Sequence, residues 1–341
     1  PRFYALHRHD GVGFIPLEEI VRTHLPALFE NISILSSTLF RIIRNSDLSL
    51  EEEEGMKKNF VEYFKGKLKK RKQGKVVKLE IEAHYDRELL QRLSQKWAIN
   101  ENNIFHVPPH SLVDLTRLQQ FAQRHSLRDY AAVPPLTYPL THAGDLFEVL
   151  KQQDVLLHHP YNSIDLVINL LERAAEDPYV LAIKMTIYRL ASTSAVTAAL
   201  CKAAASGKHV SVLVEIKARF DEEQNMREAR KMEQAGCFVM YGSGNIKTHA
   251  KMMMIVRDKD ESVTRYVHLS SGNYNEETAK SYTDVSFMTT DEAYAQDVAE
   301  FFNVITGHSL PQRYNTLITA PLNTRKQLTA LIRQEAQSAL D

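Results

Sequence analysis

The sequence predicts an α/β chain: an α+β module first, then a mixed sheet flanked by helices. Two observations in the second half carry most of that reading. Two strand–helix–strand units follow one another between Tyr179 and Tyr241, each helix closed by a glycine, Gly207 and Gly236, which implies parallel strands. The next link, Gly242 to Thr248, is too short for a parallel crossover, which takes about a dozen residues, so the sheet must turn antiparallel there. In the first half, shorter strand-like and helix-like segments alternate, as in a compact α+β module.

At 341 residues the chain has room for about two domains of ~100–200 residues each. Apolar residues make up 44% and charged residues 25%, ordinary values for a globular protein. Lys+Arg and Asp+Glu are 42 each, so no global field recruits a polyanion, nucleic acid is not expected as a partner, and any anion site must be a local gathering of cations. Cys201 and Cys237 lack metal-ligand spacing and fit a reduced, cytosolic chain. No run of about 20 apolar residues is present to span a bilayer. The chain starts at Pro1 without Met or a signal-like segment, so a piece of a longer protein is expected.

In the first module, Arg2 to Leu6 reads as a strand and Leu17 to Phe29 as an amphipathic helix interrupted by Pro26. Ile32 to Arg44 is strand-rich. Glu51 to Arg71 reads as a helix with acid at its front and base at its end, matching the macrodipole. Val76 to Ala83 alternates as a half-buried strand does; Asp86 to Trp97 reads as a helix and Ile104 to Val107 as a short strand. Lys57 to Lys75 holds nine Lys or Arg, most simply a solvated helix face and its end. His7 and His9 lack a third ligand nearby. The run Val133 to Pro139, with Pro134, Pro135 and Pro139, marks the expected domain boundary.

In the second domain Ser163 caps a helix whose residues Ile164, Val167, Ile168, Leu171 and Ala175 share one face. Strands are expected at Tyr179 to Tyr188, His209 to Ile216 and Cys237 to Tyr241, with helices at Ser194 to Ser206 and Asp221 to Ala235. Arg189 and Arg219 then fall just past the C-terminal ends of the first two strands, the edge where open α/β sheets bind ligands. The antiparallel strand Ala250 to Val256 puts His249 at that edge. A hairpin at Asp258 to Glu261 returns Tyr266 to Ser270 to it, delivering Ser271, Gly272 and Asn273. Asp284 to Met288 starts there, with Tyr282 just before it. Arg189, Arg219, Lys247, His249, Lys251, Asn273 and Tyr282 are thus expected on one rim.

Two Arg and two Lys suit a multiply charged tetrahedral oxyanion. Like charge disfavours the protonated form of His249, leaving a neutral imidazole able to act as a nucleophile among charge-stabilising groups. Asn273 suits either a phosphate oxygen or the turn after its strand, and Tyr282 either a stacked base or packing. His158 and His159 should point to opposite faces of a strand and share no metal. His268, inside a strand, reads as a hydrogen-bonded core or supporting residue. Gly242-Ser243-Gly244 precedes no helix and is a weak nucleotide match.

His249-Ala250-Lys251 before a strand and Ser271-Gly272-Asn273 after the next resemble the H-x-K…S-x-N arrangement of the phospholipase D superfamily. More specific stretches resemble one branch, the long-type polyphosphate kinases. They are His158-His159-Pro160-Tyr161-Asn162-Ser163, Ile183-Lys184-Met185-Thr186-Ile187-Tyr188-Arg189, Glu215-Ile216-Lys217-Ala218-Arg219-Phe220-Asp221-Glu222-Glu223, Lys247-Thr248-His249-Ala250-Lys251 and Gly272-Asn273-Tyr274-Asn275. Their order and spacing are roughly the family's, and the resemblance covers nearly the whole chain.

The resemblance implies a middle domain over 1–135, a phospholipase D-like domain carrying His249 over 136–316, and the start of a second, truncated one over 317–341. It implies an ATP:polyphosphate phosphotransferase that reversibly passes the terminal phosphate of ATP to polyphosphate through a phosphohistidine at His249, with Lys251 beside it. Arg189 and Arg219 would lie at the Mg2+–phosphate site, Tyr282 would contact ATP, and Lys247 and Asn273 would complete the ATP and phosphate contacts. Arginine has no lone pair for a cation, so both are expected to hold phosphate oxygens. The expected partners are ATP or ADP and inorganic polyphosphate, in a homo-oligomer, with a cytoplasmic location or a peripheral one at the inner face of the membrane.

Four features depart from these patterns. Val256 stands where the superfamily usually has Asp, a gap the kinase branch shares, and Asn162 where the family commonly has Asp. The family carries two H-x-K elements, and this sequence holds one. The family's small N-terminal helical domain is also not matched. A middle piece, inactive alone, is therefore expected. Two other readings are a phosphodiesterase or nuclease whose site is completed by dimerisation, and a non-catalytic module that docks a polyanion.

Overall fold

The structure is a computed structural model that describes residues 2–9, 11–45, 66, 74–108, 115–118, 121, 145–191, 194–216, 218, 221–242, 247–307 and 313–340. The chain divides into two compact units, Pro1–Ala131 and Ala132–Asp341. The helix expected over Glu51 to Arg71, nearly all of the basic run, the proline run at 133–139 and Arg219 lie outside the described residues.

The first unit opens with an antiparallel hairpin, β1 (Phe3–Arg8) and β2 (Gly11–Pro16). β2 was not expected, because two glycines and a terminal proline hide its alternation. The helix expected over residues 17–29 is two pieces, α1 (Leu17–Thr23) and α2 (Leu25–Leu28), broken at His24 rather than at Pro26. Pro26 sits in the first turn of α2, where its missing N–H costs nothing, whereas a continuous helix would drive its ring into the Arg22 carbonyl.

A three-stranded sheet follows, ordered β3 (Phe40–Arg44), β4 (Val76–Glu82) and β5 (Ile104–Val107), with α3 (Arg87–Trp97) crossing between the parallel pair β4 and β5. Asp86 caps α3 by accepting the Glu88 N–H at 2.7 Å. The strand-rich run from Ile32 becomes regular only at Phe40. β4 ends at Glu82, whose N–H reaches the Leu39 carbonyl at 3.0 Å, so residues 32–38 have no strand to pair with among the described residues. Buried Leu79, Val76 and Ile99 form the core here.

In the second unit α4 (Leu146–Gln152) leads to β6 (Val155–His159), and α5 (Asp165–Glu176) to β7 (Val180–Ile187). Then come α6 (Ala195–Ala205), β8 (His209–Val214), α7 (Glu222–Gln234), β9 (Phe238–Tyr241), β10 (Lys251–Lys259), β11 (Ser262–Ser270) and β12 (Asp284–Thr289). The helices α8 (Glu292–Ile305) and α9 (Thr324–Ser338) complete it. The seven-stranded sheet is ordered β6-β12-β11-β10-β7-β8-β9. β7, β8 and β9 are parallel, and β10 runs antiparallel to β7, as loop length requires. Every further neighbour is antiparallel. One rim therefore gathers the ends of β6, β7, β8, β9 and β11 and the starts of β10 and β12.

On one face of the sheet Met252, Met254 and Val267 pack against Ala295, Val298 and Phe302 of α8. Lys251 and Met253, by alternation, take the other face with Tyr266 and His268. Phe147 of α4 lies edge-on to Tyr266, ring centroids 4.8 Å apart. At the opposite edge, buried Arg257 reaches Asp177 at 2.9 Å and Glu148 at 3.4 Å, and no helix among the described residues is long and apolar enough to cross a membrane.

The β10–β11 hairpin that carries the rim turns through Asp260 and Glu261 at φ 56° and 57°, between the paired residues Lys259 and Ser262. This two-residue turn needs positive φ at both positions, which suits Asn-Gly better than Asp-Glu. The double substitution D260N/E261G should raise stability by about 1 kcal/mol, read from denaturant unfolding.

Candidate active site

β10 and β7 part company at the rim. Their ladder runs from Arg257↔Val180 to Met253↔Met185 and stops there. Beyond it the Thr186 hydroxyl takes over: Oγ1 donates to the Ala250 carbonyl at 2.7 Å and accepts the Met252 N–H at 3.0 Å. Residues 247–250 have no ladder partner, and His249 stands in that stretch.

Around it the cations converge. Lys251 is 5% exposed, with Nζ 3.0 Å from His249 Nδ1, 3.2 Å from Nε2 and 2.7 Å from the His249 carbonyl. Tyr188, just past β7, sets its ring edge-on to the imidazole at 4.6 Å and lies 5.2 Å from Lys251 Nζ. Burial pushes the His249 imidazole below its ordinary pKa, and Lys251, Lys247 and Arg189 push it further the same way. The neutral imidazole expected from charge alone is thus favoured first by desolvation. Burial also lowers Lys251, to about 8, with Arg189 adding to the shift and Asp284 opposing it.

Arg189 Nε sits 3.0 Å from Asp221 Oδ2. Buried Asn225 of α7 donates to the Tyr188 carbonyl at 2.8 Å and to the Glu215 carbonyl at 3.2 Å, tying the helix to the ends of β7 and β8. Arg189, Lys247, His249 and Lys251 are therefore one electrostatic cluster, as the rim argument expects.

Asn273 follows β11 on the turn that the same argument delivers to the rim. Its Oδ1 is buried without a hydrogen-bond partner among the described residues. Amide orientation is assigned from the network, so a flipped side chain would instead offer its N–H donors there. The turn itself is tight. A Cβ on Gly272 would lie 2.6 Å from Asp284 Oδ2, and Ser271 Oγ donates to Asp284 Oδ1 at 2.8 Å. Tyr282 is 63% exposed, and no hydrogen bond or ring contact among the described residues joins it to His249.

Sequence reasoning assigned no role to Thr186, Tyr188, Glu215 or Asp284. The first three lie inside stretches that carry the family resemblance, but side-chain bonds to loop backbone leave no periodic trace. His159 is buried, with Nε2 2.8 Å from Ser286 Oγ and Nδ1 2.8 Å from the Asn162 carbonyl, while His158 is exposed on the opposite face. No group of three His, Cys, Asp or Glu among the described residues could hold a metal ion.

Residues 1–121 match the model for the polyphosphate kinase middle domain and residues 145–311 that for polyphosphate kinase C-terminal domain 1. The chain is 38% identical over 348 residues to the polyphosphate kinase of Prosthecochloris aestuarii, covering 99% of this chain and 48% of that protein. It is 39% identical over 344 residues to polyphosphate kinase 1 of Chlorobaculum tepidum, covering 98% and 49%. The solved polyphosphate kinase of Porphyromonas gingivalis superposes with a TM-score of 0.77 at 30% identity, covering 99% of this chain and 49% of that one. The chain thus spans about half the length of the curated relatives it matches.

His268 is fully buried, its Nδ1 2.7 Å from the Tyr274 hydroxyl, and burial lowers its pKa to about 3, with His159 adding to the shift. The folded state refuses a proton that the unfolded chain accepts near pH 6.5. Stability should therefore fall with decreasing pH across the window from 6.5 to about 3. The slope is about 1.4 kcal/mol per pH unit for one proton. His268→Gln should flatten the profile by that slope, measured by urea unfolding across the window.

Proposed function

Because the chain belongs to the polyphosphate kinase family, we propose that it serves an ATP:polyphosphate phosphotransferase in which His249 carries the phosphoryl group. The observation that carries this reading is the convergence of Lys251, Lys247 and Arg189 on the His249 imidazole, whose proton affinity burial and these cations lower. A ring nitrogen of His249 attacks the terminal phosphorus of ATP; the N–P bond forms, the P–O bond to the leaving phosphate breaks, and ADP departs. A terminal oxygen of polyphosphate then attacks the same phosphorus and the imidazole is released. The phosphoramidate stays reactive, so the sequence runs in either direction.

Each cation has a place in this account. Lys251 lies over the ring nitrogens in the free protein; its donors turn to phosphoryl oxygens once the nucleotide enters, freeing the nitrogen lone pair. Arg189 and Arg219 hold phosphate oxygens bidentately, and Lys247 adds charge where it develops in the transition state. Mg2+ entering with the nucleotide would neutralise its phosphates, with the two arginines holding oxygens beside it. Asn273 presents its amide to a phosphate oxygen, and the exposed ring of Tyr282 stacks on the adenine. Residues 317–341 read as the start of a second phospholipase D-like domain, which supplies a further histidine for proton transfer.

The test uses the gene product at the length of its relatives, incubated with γ-labelled ATP. An acid-labile, base-stable label is expected, absent in His249→Ala. Arg189→Ala and Arg219→Ala should each slow labelling by about 10²–10³-fold. Near-normal labelling of both arginine variants would overturn the convergent rim. Hydrolysis of a phosphodiester without label would favour a nuclease, and binding of polyphosphate with neither would favour a docking module.

A further inference from the structure

The backbone on either side of His249 is held by two side chains from the parallel half of the sheet. On the near side, Glu215 stands just past β8 and is 1% exposed. Its Oε2 accepts the N–H of Thr248 at 2.9 Å. The same carboxylate lies flat on Gly242, where an added Cβ would come within 2.8 Å of Oε2. Gly242 begins the loop that leads to His249, and its own N–H bonds the Val214 carbonyl at 2.9 Å. Glu215 thus rests on the root of the loop and grips it again one residue before the imidazole.

On the far side the grip belongs to Thr186, also 1% exposed. Its hydroxyl holds the carbonyl of Ala250 and the N–H of Met252, beyond the point where β10 leaves the ladder with β7. Between the two grips the carbonyl of His249 itself is taken by Lys251 Nζ. A stretch with no strand pairing is therefore held at the Thr248 N–H, the His249 carbonyl and the Ala250 carbonyl.

We propose that Thr186 and Glu215 are positioning residues: a two-sided clamp that substitutes for the missing ladder and fixes the backbone of His249, and so the aim of its imidazole. Neither touches the reacting atoms; both act through peptide groups. The clamp stands at the boundary where the sheet changes from parallel to antiparallel, just past the last rung of the β7–β10 ladder at Met253↔Met185. A backbone free to move by about 1 Å there forfeits the alignment that phosphoryl transfer depends on. This inference rests on the phosphohistidine reading for its consequence, but not for its existence.

The groups that face the imidazole are Lys247 and Lys251 from its own loop and strand, and Arg189 and Tyr188 from the end of β7. Holding the ring among them and out of water lowers its affinity for a proton, so slackening the loop should raise it. The experiment is an NMR titration of the His249 imidazole in the unphosphorylated protein. Thr186→Val keeps the shape and removes the hydroxyl; Glu215→Ala removes the acceptor. Thr186→Val should raise the His249 midpoint by about 0.5 pH unit or more over wild type and Thr186→Ser. Glu215→Ala should raise it by a similar amount over Glu215→Gln, which loses the same charge but keeps an oxygen in place. Equal midpoints within both folded pairs would overturn the clamp. Should either lesion fail to fold, hydrogen exchange in the wild type decides: the Thr248 amide should be protected, and exchange as fast as an open loop amide overturns the proposal. Absence of label from γ-labelled ATP in the wild type would sink the kinase reading alone.

Discussion

The seam between β7 and β10 governs the second unit. A helical crossover carries β7 to β8 and another β8 to β9, and each step leaves a strand end at the same rim. The link after β9 is too short to repeat the step, so β10 must run back down beside β7. From that reversal the rest follows: β11 returns to the rim, β12 leaves it, and β6 ends there opposite Asp284. Seven strands thus contribute seven termini to one edge.

What the seam gathers is a like-charge cluster, which costs free energy to assemble unless something offsets it. Arg189 has Asp221 within 3.0 Å, and Asp284 opposes the burial that lowers Lys251. Lys251 spends its donors on the His249 carbonyl and ring. His249 has no carboxylate among the causes of its shift, and it is the member left neutral. The division is chemically sensible. Under the proposed function the cations would meet phosphate, and the imidazole, whose proton affinity is lowered, would attack phosphorus. A carboxylate close to the imidazole would reverse that outcome by stabilising the imidazolium.

How much of this was legible in the sequence depended on what kind of signal each element leaves. Loop length and alternation are one-dimensional quantities, and they predicted the rim: the strands that bear Arg189, His249, Asn273 and Tyr282 run as expected. The structure describes four of the seven predicted site residues as one electrostatic cluster, places Asn273 on the neighbouring turn and leaves Tyr282 exposed, while Arg219 lies outside the described residues. Elements failed where tertiary partners decided. Residues 32–38 have strand composition but no strand beside them among the described residues, and β2 forms despite Gly11 and Gly13 because β1 lies against it. Proline at 26 broke the helix two residues earlier than its own position. Thr186 and Glu215 were unreadable for a further reason. A hydroxyl and a carboxylate that bond loop peptides sixty-four and thirty-three residues away obey no period.

Strand divergence also accounts for the buried polar groups beneath the rim. Where a ladder is complete, backbone groups satisfy one another and apolar side chains suffice, as in the Met252, Met254 and Val267 cluster. Where strands diverge, the freed peptide groups must find side-chain partners or be left unpaired at a cost of about 1–3 kcal/mol each. Thr186, Glu215 and Asn225 meet that need on the parallel side. On the antiparallel side Ser270 accepts the Gly272 N–H at 3.0 Å, and Ser271 accepts that of Val285 at 3.0 Å. Opening a sheet for a ligand thus creates the demand for the polar side chains that then hold the site's backbone. Two of the unsatisfied buried atoms that remain, Asn273 Oδ1 and His268 Nε2, lie on the turn after β11 and on β11 itself. The polar interior of this rim is therefore a consequence of strand divergence first and of chemistry second, and the chemistry uses what the divergence requires.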